Sequence, residues 1–267
     1  MNKNIFYTSN GNINKFKNTK SLFSNYNINN NSYVTVIITN FDRPKNIPII
    51  INRLKEISNI NQIIITHGKS ETYTKFKDCV NIKNFSINSL YGGAQRFFLL
   101  EHILNNFVLF LDDDILIKSS LFYSLLDSIR ESPIGIYGPV SRLCKLNKYV
   151  DTKINYNVIL TGVLMTNREI IESYITNFNN YEEHLRKYKG NGEDLSFNHN
   201  FITNYNIMPK LVEGEYKLFN NNIGFTYSRV KNHRDIRKEF CTNFFSELWL
   251  KNSRKKKEGK RNKKLKK

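Results

Sequence analysis

Cysteine, proline and tryptophan are scarce, at three, five and one among 267 residues. Cys79, Cys144 and Cys241 are odd in number and widely spaced, which argues against a disulfide framework and a thiolate metal site and makes a reducing compartment the expectation. Long apolar runs are missing too. The longest, such as Phe107 to Leu111, fall far short of the ~20 residues that cross a bilayer. Met1 to Ser32 lacks the apolar centre of a signal peptide, so the expectation is a soluble, cytoplasmic chain without leader or anchor. Acid is the minority charge, with 23 Asp and Glu against 41 Lys and Arg and a net charge of +18. Lys251 to Lys267 alone holds eleven basic residues against Glu258, a net +10, which leaves the rest of the chain only moderately basic at +8. No aromatics interleave with those lysines, so the tail is expected to contact any polyanion or anionic membrane surface without specificity. At 40% hydrophobic and 24% charged, the chain cannot be disordered throughout. Asn, Ile, Lys, Phe and Tyr are heavily used, as an AT-rich genome would impose, so a cluster of Asn or Lys carries little weight as evidence of function.

Three regions follow from the pattern. Residues 1–32 are polar, Asn-rich and without period, the mark of a flexible arm. Residues 33–250 form the domain, and 251–267 read as a disordered Lys-rich tail. Within the domain, Val34 to Thr39 is a β-branched apolar run of the kind buried on both faces of a parallel sheet. Pro48, Ile49, Ile50, Arg53, Leu54 and Ile57 follow with a helical period, and Ile60 to Thr66 is the next strand, completing a βαβ unit. Gly92 to Asn105 reads as a helix, Phe107 to Leu111 as a strand, and Leu121 to Ile129 as the buried face of a further helix. Ile134 to Val140 and Tyr156 to Met165 read as strands and Asn167 to Phe178 as a helix. Gly190-Asn191-Gly192 reads as a flexible loop before a helix that opens with Glu193-Asp194. The fold class is α/β, a single domain with a mostly parallel sheet flanked by helices.

The chemistry concentrates at Asp112-Asp113-Asp114, directly after a buried strand. Adjacent carboxylates repel and raise one another's pKa unless a cation neutralises them. In an open α/β sheet, ligands bind beyond the carboxyl ends of the strands, where this triplet lies. Mg²⁺ or Mn²⁺ takes oxygen ligands and shares its shell with phosphate, so a metal-bound diphosphate is the economical reading. Alternation along the strand sends Asp112 and Asp114 one way and Asp113 the other. The plainer reading is an acidic turn that ends a strand.

With VTVIITNFDRP after the first strand, His67-Gly68 after the second, Arg96 on a helix and FLDDDILI at the third, the chain resembles nucleotide-sugar glycosyltransferases of the GT-A type with their DXD motif. The later ILTGVLM and Gly192 to Asn198 (GEDLSFN) are similar in order to the exostosin-like glycosyltransferases. The resemblance covers about Tyr33 to Val212, more loosely to Cys241. It implies a UDP-sugar donor, Mn²⁺ (or Mg²⁺) as cofactor, and hexosyl or N-acetylhexosaminyl transfer to an acceptor the sequence does not name. It also implies roles for individual residues. Asn40, Asp42 and Arg43 would border the nucleotide, and Arg96 would reach the diphosphate or the sugar. Asp112 and Asp114 would serve ribose and metal, while Asp113 would face the sugar or support the loop. Asp194, with Glu193 beside it, would sit near the reacting carbon, His233 would be a third metal ligand or a phosphate contact, and Arg234 or Arg237 would stabilise the departing diphosphate. Retention is the rule among exostosin-like enzymes, although other GT-A enzymes invert with a similarly placed acid.

Simpler roles stand beside these. Glu193 and Asp194 suit the first turn of any helix, His233 suits a solvated loop, and Arg96 could pair with Glu101. A haloacid-dehalogenase-like phosphatase also uses DxD after a strand, but Ile115-Leu116 stands where that family has a small residue and then Thr or Val. A nucleotidyltransferase would need a glycine-rich basic signature after Val34 to Thr39, and there is none. A nucleic-acid-binding protein acting through the tail is the reading from another class.

Overall fold

The computed structural model describes residues 4–7, 13–16, 33–219 and 230–246. Within the N-terminal arm, β1 (Asn4–Tyr7) and β2 (Ile13–Phe16) pair antiparallel. The rest of that arm and the Lys-rich tail lie outside the described residues.

A seven-stranded sheet organises the domain. Its central strands are β3 (Val34–Asn40), β4 (Ile60–His67) and β6 (Phe107–Asp112), with β5 (Val80–Lys83) at one edge, all parallel. β12 (Val163–Asn167) then runs antiparallel to β6 and to β8 (Tyr137–Gly138), and β13 (Lys210–Leu211) pairs parallel with β8 at the far edge. The spatial order is β13-β8-β12-β6-β3-β4-β5. Period-two alternation divides the core into two. Val36, Ile38, Ile63, Ile65, Leu109 and Leu111 belong to a cluster closed by α1 (Ile47–Lys55) and α3 (Ser119–Glu131). Ile37, Ile64, Val108, Phe110 and Leu164 belong to the other, with α2 (Phe85–Tyr91), α4 (Arg168–Thr176), α5 (Asn179–Lys187) and α6 (Glu193–Tyr205). Helices on both faces explain why the central strands read as unbroken apolar runs.

Several elements depart from the sequence reading. Gly92 to Asn105 is not one α-helix: α2 ends at Tyr91, and 3₁₀ turns at Gly92–Phe97 and Leu100–His102 follow. Gly92 at φ 50° breaks the helical path that the apolar spacing imitated. Tyr156 to Met165 is not one strand either, since β11 (Val158–Ile159) joins a small sheet and the chain turns at Thr161-Gly162 before β12 enters the large one. That small sheet, ordered β10-β9-β11, contains the antiparallel hairpin β9 (Ser141–Lys145) and β10 (Lys148–Asp151). Short β7 (Ile115–Ile117) pairs with β14 (Tyr216–Leu218) beside the Asp triplet. Asn167 caps α4 by accepting the Ile170 N–H, and α5 follows as a separate helix.

Residues 190–192 are buried and do not form a flexible loop. Gly190, at φ +82°, donates its N–H to Leu185 and packs so tightly that a Cβ there would stand 2.1 Å from the Tyr91 carbonyl oxygen. The cysteine reading also needs correction. Cys144 and Cys241 form a buried disulfide with Cα atoms 5.3 Å apart, joining β9 to the residue that follows α7 (His233–Phe240), and only Cys79 is free. Spacing alone could not reveal a bridge between cysteines 97 residues apart.

Candidate active site

Parallel pairing sets Thr39 opposite Asp112, so the loops leaving β3 and β6 meet above the sheet. Asp113 fixes one to the other. Its Oδ2 accepts the backbone N–H groups of Phe41, Asp42 and Arg43 at 3.0, 3.3 and 3.2 Å, and its Oδ1 accepts the Arg43 guanidinium at 2.7 Å. Asn46 donates to the Asp113 carbonyl at 2.8 Å. The middle aspartate thus supports the loop, and its side chain is only 4% exposed.

Asp112 and Asp114 face the cleft instead, with side chains 38% and 30% exposed. Arg96 donates to Asp112 Oδ1 at 2.7 Å and to the Thr161 carbonyl at 2.9 Å, so it pairs with the triplet and not with Glu101. Arg43 reaches Asp114 at 3.4 Å. Partial burial, and then the charge of Asp112, push the Asp114 carboxyl up to about 6.

The opposite wall begins at α6. Glu193 and Asp194 occupy its first turn, where the helix dipole favours negative charge, yet both are buried. Asp194 Oδ2 accepts from Arg237 on α7 at 2.8 Å, and its Oδ1 accepts the Leu195 N–H. Arg237 also donates to Tyr149 on β10 at 2.8 Å and to Asn191 at 3.2 Å. Burial would lower the pKa of this guanidinium, but Asp194 and Tyr149 outweigh it and hold the group charged. Glu193 Oε1 accepts from Thr161 at 3.3 Å, while its Oε2 is buried without a partner. Burial, followed by the Asp194 charge, raises its carboxyl to about 7. Gly93 admits it, since a Cβ there would stand 3.1 Å from Glu193 Oε1.

Asp112, Asp114 and Glu193 line two adjoining pockets. One extends under the β3 loop past Thr39, Phe41, Arg43 and Arg96. The other extends past Tyr149, Asp194, Tyr216, His233 and Arg237. Most of the expected residues therefore converge, with exceptions. Asn40 is buried and donates to His67 at 3.0 Å, and Asp42 pairs with Lys69 at 2.5 Å; neither lines the pockets. His233 lines the second pocket, but Asp112, Asp114 and His233 do not form a three-residue metal cluster, and none occurs among the described residues. Two carboxylates facing the cleft nevertheless fit a hard divalent cation that completes its shell with phosphate and water.

Thr39, Phe41, Tyr149 and Asn191 were not identified from the sequence. The apolar strand pattern conceals Thr39. Tyr149 and Asn191 meet Arg237 across 88 and 46 residues.

No curated protein matches the chain. A comparison with protein-family models matches residues 33–265 to the Glycosyl transferase family 64 domain, a span that contains the whole of residues 33–250. The cleft at the strand ends is the candidate active site, and the chain is a glycosyltransferase that belongs to glycosyl transferase family 64.

Proposed function

We propose that this glycosyltransferase is of the GT-A type and exostosin-like, and that it moves a sugar from a UDP-linked donor to an acceptor hydroxyl with retention of configuration. The observation that carries the reading is the division of the Asp triplet, with the nearly buried Asp113 bonded to the β3 loop and touching only the first pocket, while the more exposed Asp112 and Asp114 line both. The first pocket, beneath Thr39 and Phe41, is the place for the nucleotide, and Arg96 and Arg43 supply positive charge beside it. The second pocket is the place for the acceptor, with the sugar where the two meet at Glu193.

Asp112 and Asp114 would hold Mn²⁺ or Mg²⁺, which would neutralise charge on the departing diphosphate. The chain's own groups supply the rest. Arg96 is fixed by three protein oxygens and keeps a cation at the phosphate side. Glu193 Oε2, unpartnered at the junction, accepts a hydrogen bond from a sugar hydroxyl. Asp194 is clamped through both oxygens, an arrangement that supports a fixed anion beside the reacting carbon more than a base that must swing to collect a proton. In the transfer, the bond from the anomeric carbon to the diphosphate breaks, the acceptor oxygen bonds to that carbon, and the acceptor proton leaves on the diphosphate. Arg237 serves by fixing the Asp194 carboxylate in place, a different task from contacting the leaving group.

Calorimetry of UDP binding with and without Mn²⁺ tests the donor assignment. Wild-type protein should bind UDP only with metal, and Asp114→Ala should lose that binding while keeping its fold. Binding that ignores chelator, or that survives unchanged in the variant, would overturn it.

A further inference from the structure

Arg237 and Cys241 are four residues apart, so a helical path sets them on one face of the C-terminal segment. Their partners are matched in the same way, because Tyr149 lies directly opposite Cys144 in the β9–β10 register. One rung of the hairpin therefore grips the segment twice, by the Tyr149 hydroxyl on Arg237 and by the disulfide on Cys241. The hairpin is itself anchored to the helix that carries Asp194. Asn198 exchanges hydrogen bonds with the backbone of Ile159 on β11, at 2.9 and 3.0 Å, and donates to the Asp194 carbonyl at 2.7 Å. A closed circuit results, from Asp194 through Arg237, α7 and the disulfide into the small sheet and back through Asn198. Other attachments of α7 and the turn after it are non-covalent: Phe240 and Phe245 are buried in the core against Tyr181, His184 and His199, Glu239 accepts from Tyr188, and Thr242 accepts the Asn147 N–H.

We infer that the Cys144–Cys241 disulfide is a positioning element of the active site, holding Arg237 on Asp194, so that the enzyme reaches full turnover only where its thiols are oxidised. The inference rests on the catalytic assignment of Asp194 above. Closing the bond releases two protons and two electrons from the two thiols to a disulfide oxidant, and a dithiol reductant returns them. Full burial of both sulfurs protects the closed form, as suits a bond that stays closed during the working life of the protein. The site so described belongs to an oxidising compartment.

The test compares oxidised wild type, wild type reduced with dithiothreitol and then reoxidised, and Cys144→Ala/Cys241→Ala. Each is assayed for steady-state donor hydrolysis and for hydrogen–deuterium exchange of residues 233–245. Opening the bond should lower kcat by about tenfold or more with donor KM nearly unchanged, since a small displacement of a catalytic group costs rate and not binding. Exchange in 233–245 should rise while the central strands stay protected, and reoxidation should restore both. Unchanged kcat with raised exchange would reduce the bond to a structural role and overturn the inference. So would a fall in kcat without a change in exchange. If oxidised wild type consumes no donor at all, the glycosyl-transfer reading is what fails, and exchange alone then decides whether the bond holds α7. Should the alanine pair fail to fold, the reduced and reoxidised wild type carries the same test.

Discussion

Replacing Arg237 with Met keeps most of the side-chain volume and removes the charge. The pair it breaks is deeply buried, with side chains 6% and 3% exposed, so the Asp194 carboxylate would remain in a dry site with only the Leu195 N–H to satisfy it. Removing one partner of a buried ion pair costs about 3–5 kcal/mol, mostly because the other charge is left unpaired. The Tyr149 and Asn191 bonds to Arg237 vanish as well. For a domain of this size the loss corresponds to a fall in Tm of about 6–20 °C. Adding Asp194→Asn to Arg237→Met removes the stranded charge and should return about 2 kcal/mol or more, although both variants should be inactive. Urea denaturation followed by far-UV circular dichroism measures both. A cost below about 1 kcal/mol for Arg237→Met, or a double variant no more stable than the single, would refute the view that Arg237 exists to hold a charged Asp194.

Other predictions rest on separate contacts. Metal affinity should weaken as pH falls through about 6, because Asp114 takes up a proton there and a cation must displace it; Mn²⁺ titrations at pH 5 and 7.5 read this, and a flat profile would contradict it. Gly190→Ala forces a Cβ against the Tyr91 carbonyl at positive φ and should cost at least about 2 kcal/mol by thermal denaturation, with a smaller loss implying that the α5–α6 connection yields easily. His184 and His199 pack among Tyr181, Phe240 and Phe244, and burial lowers each from 6.5 to about 4. The unfolded chain therefore binds more protons between those values, so each histidine subtracts stability as pH falls from 6.5 to 4, by up to about 1.4 kcal/mol per pH unit. His184→Gln should flatten that decline in pH-dependent urea midpoints, and an unchanged slope would show that His184 is not buried neutral.

Legibility followed the range of the interactions involved. The unit from β3 through α1 to β4, and the strand β6 before the triplet, were readable because burial on both faces writes itself as consecutive apolar residues. Strand alternation could not set the directions within the triplet, because β6 ends at Asp112 and Asp113 and Asp114 lie in a turn. The β9–β10 hairpin was not readable, since Arg142, Lys145 and Lys148 give it little apolar contrast, and its value lies in Tyr149 and Cys144, whose partners are 88 and 97 residues away. Gly190 and Asn191 looked like a mobile loop because glycine signals freedom in sequence, whereas here it permits close packing. Motif order singled out Asp194 as a candidate, but nothing in its neighbourhood announced Arg237 as its buried partner.

In the proposed reaction Asp194 acts on a sugar held at the junction of the two pockets. Wild-type protein and Asp194→Asn, each incubated with Mn²⁺ and a panel of UDP-sugars and followed by mass spectrometry, test it directly. Wild type should release UDP from at least one donor, and chelator should stop the reaction. Asp194→Asn should slow turnover by about 10²-fold or more at nearly unchanged donor affinity. No release from any donor by wild type, or turnover in the variant within a few-fold of wild type, would contradict it.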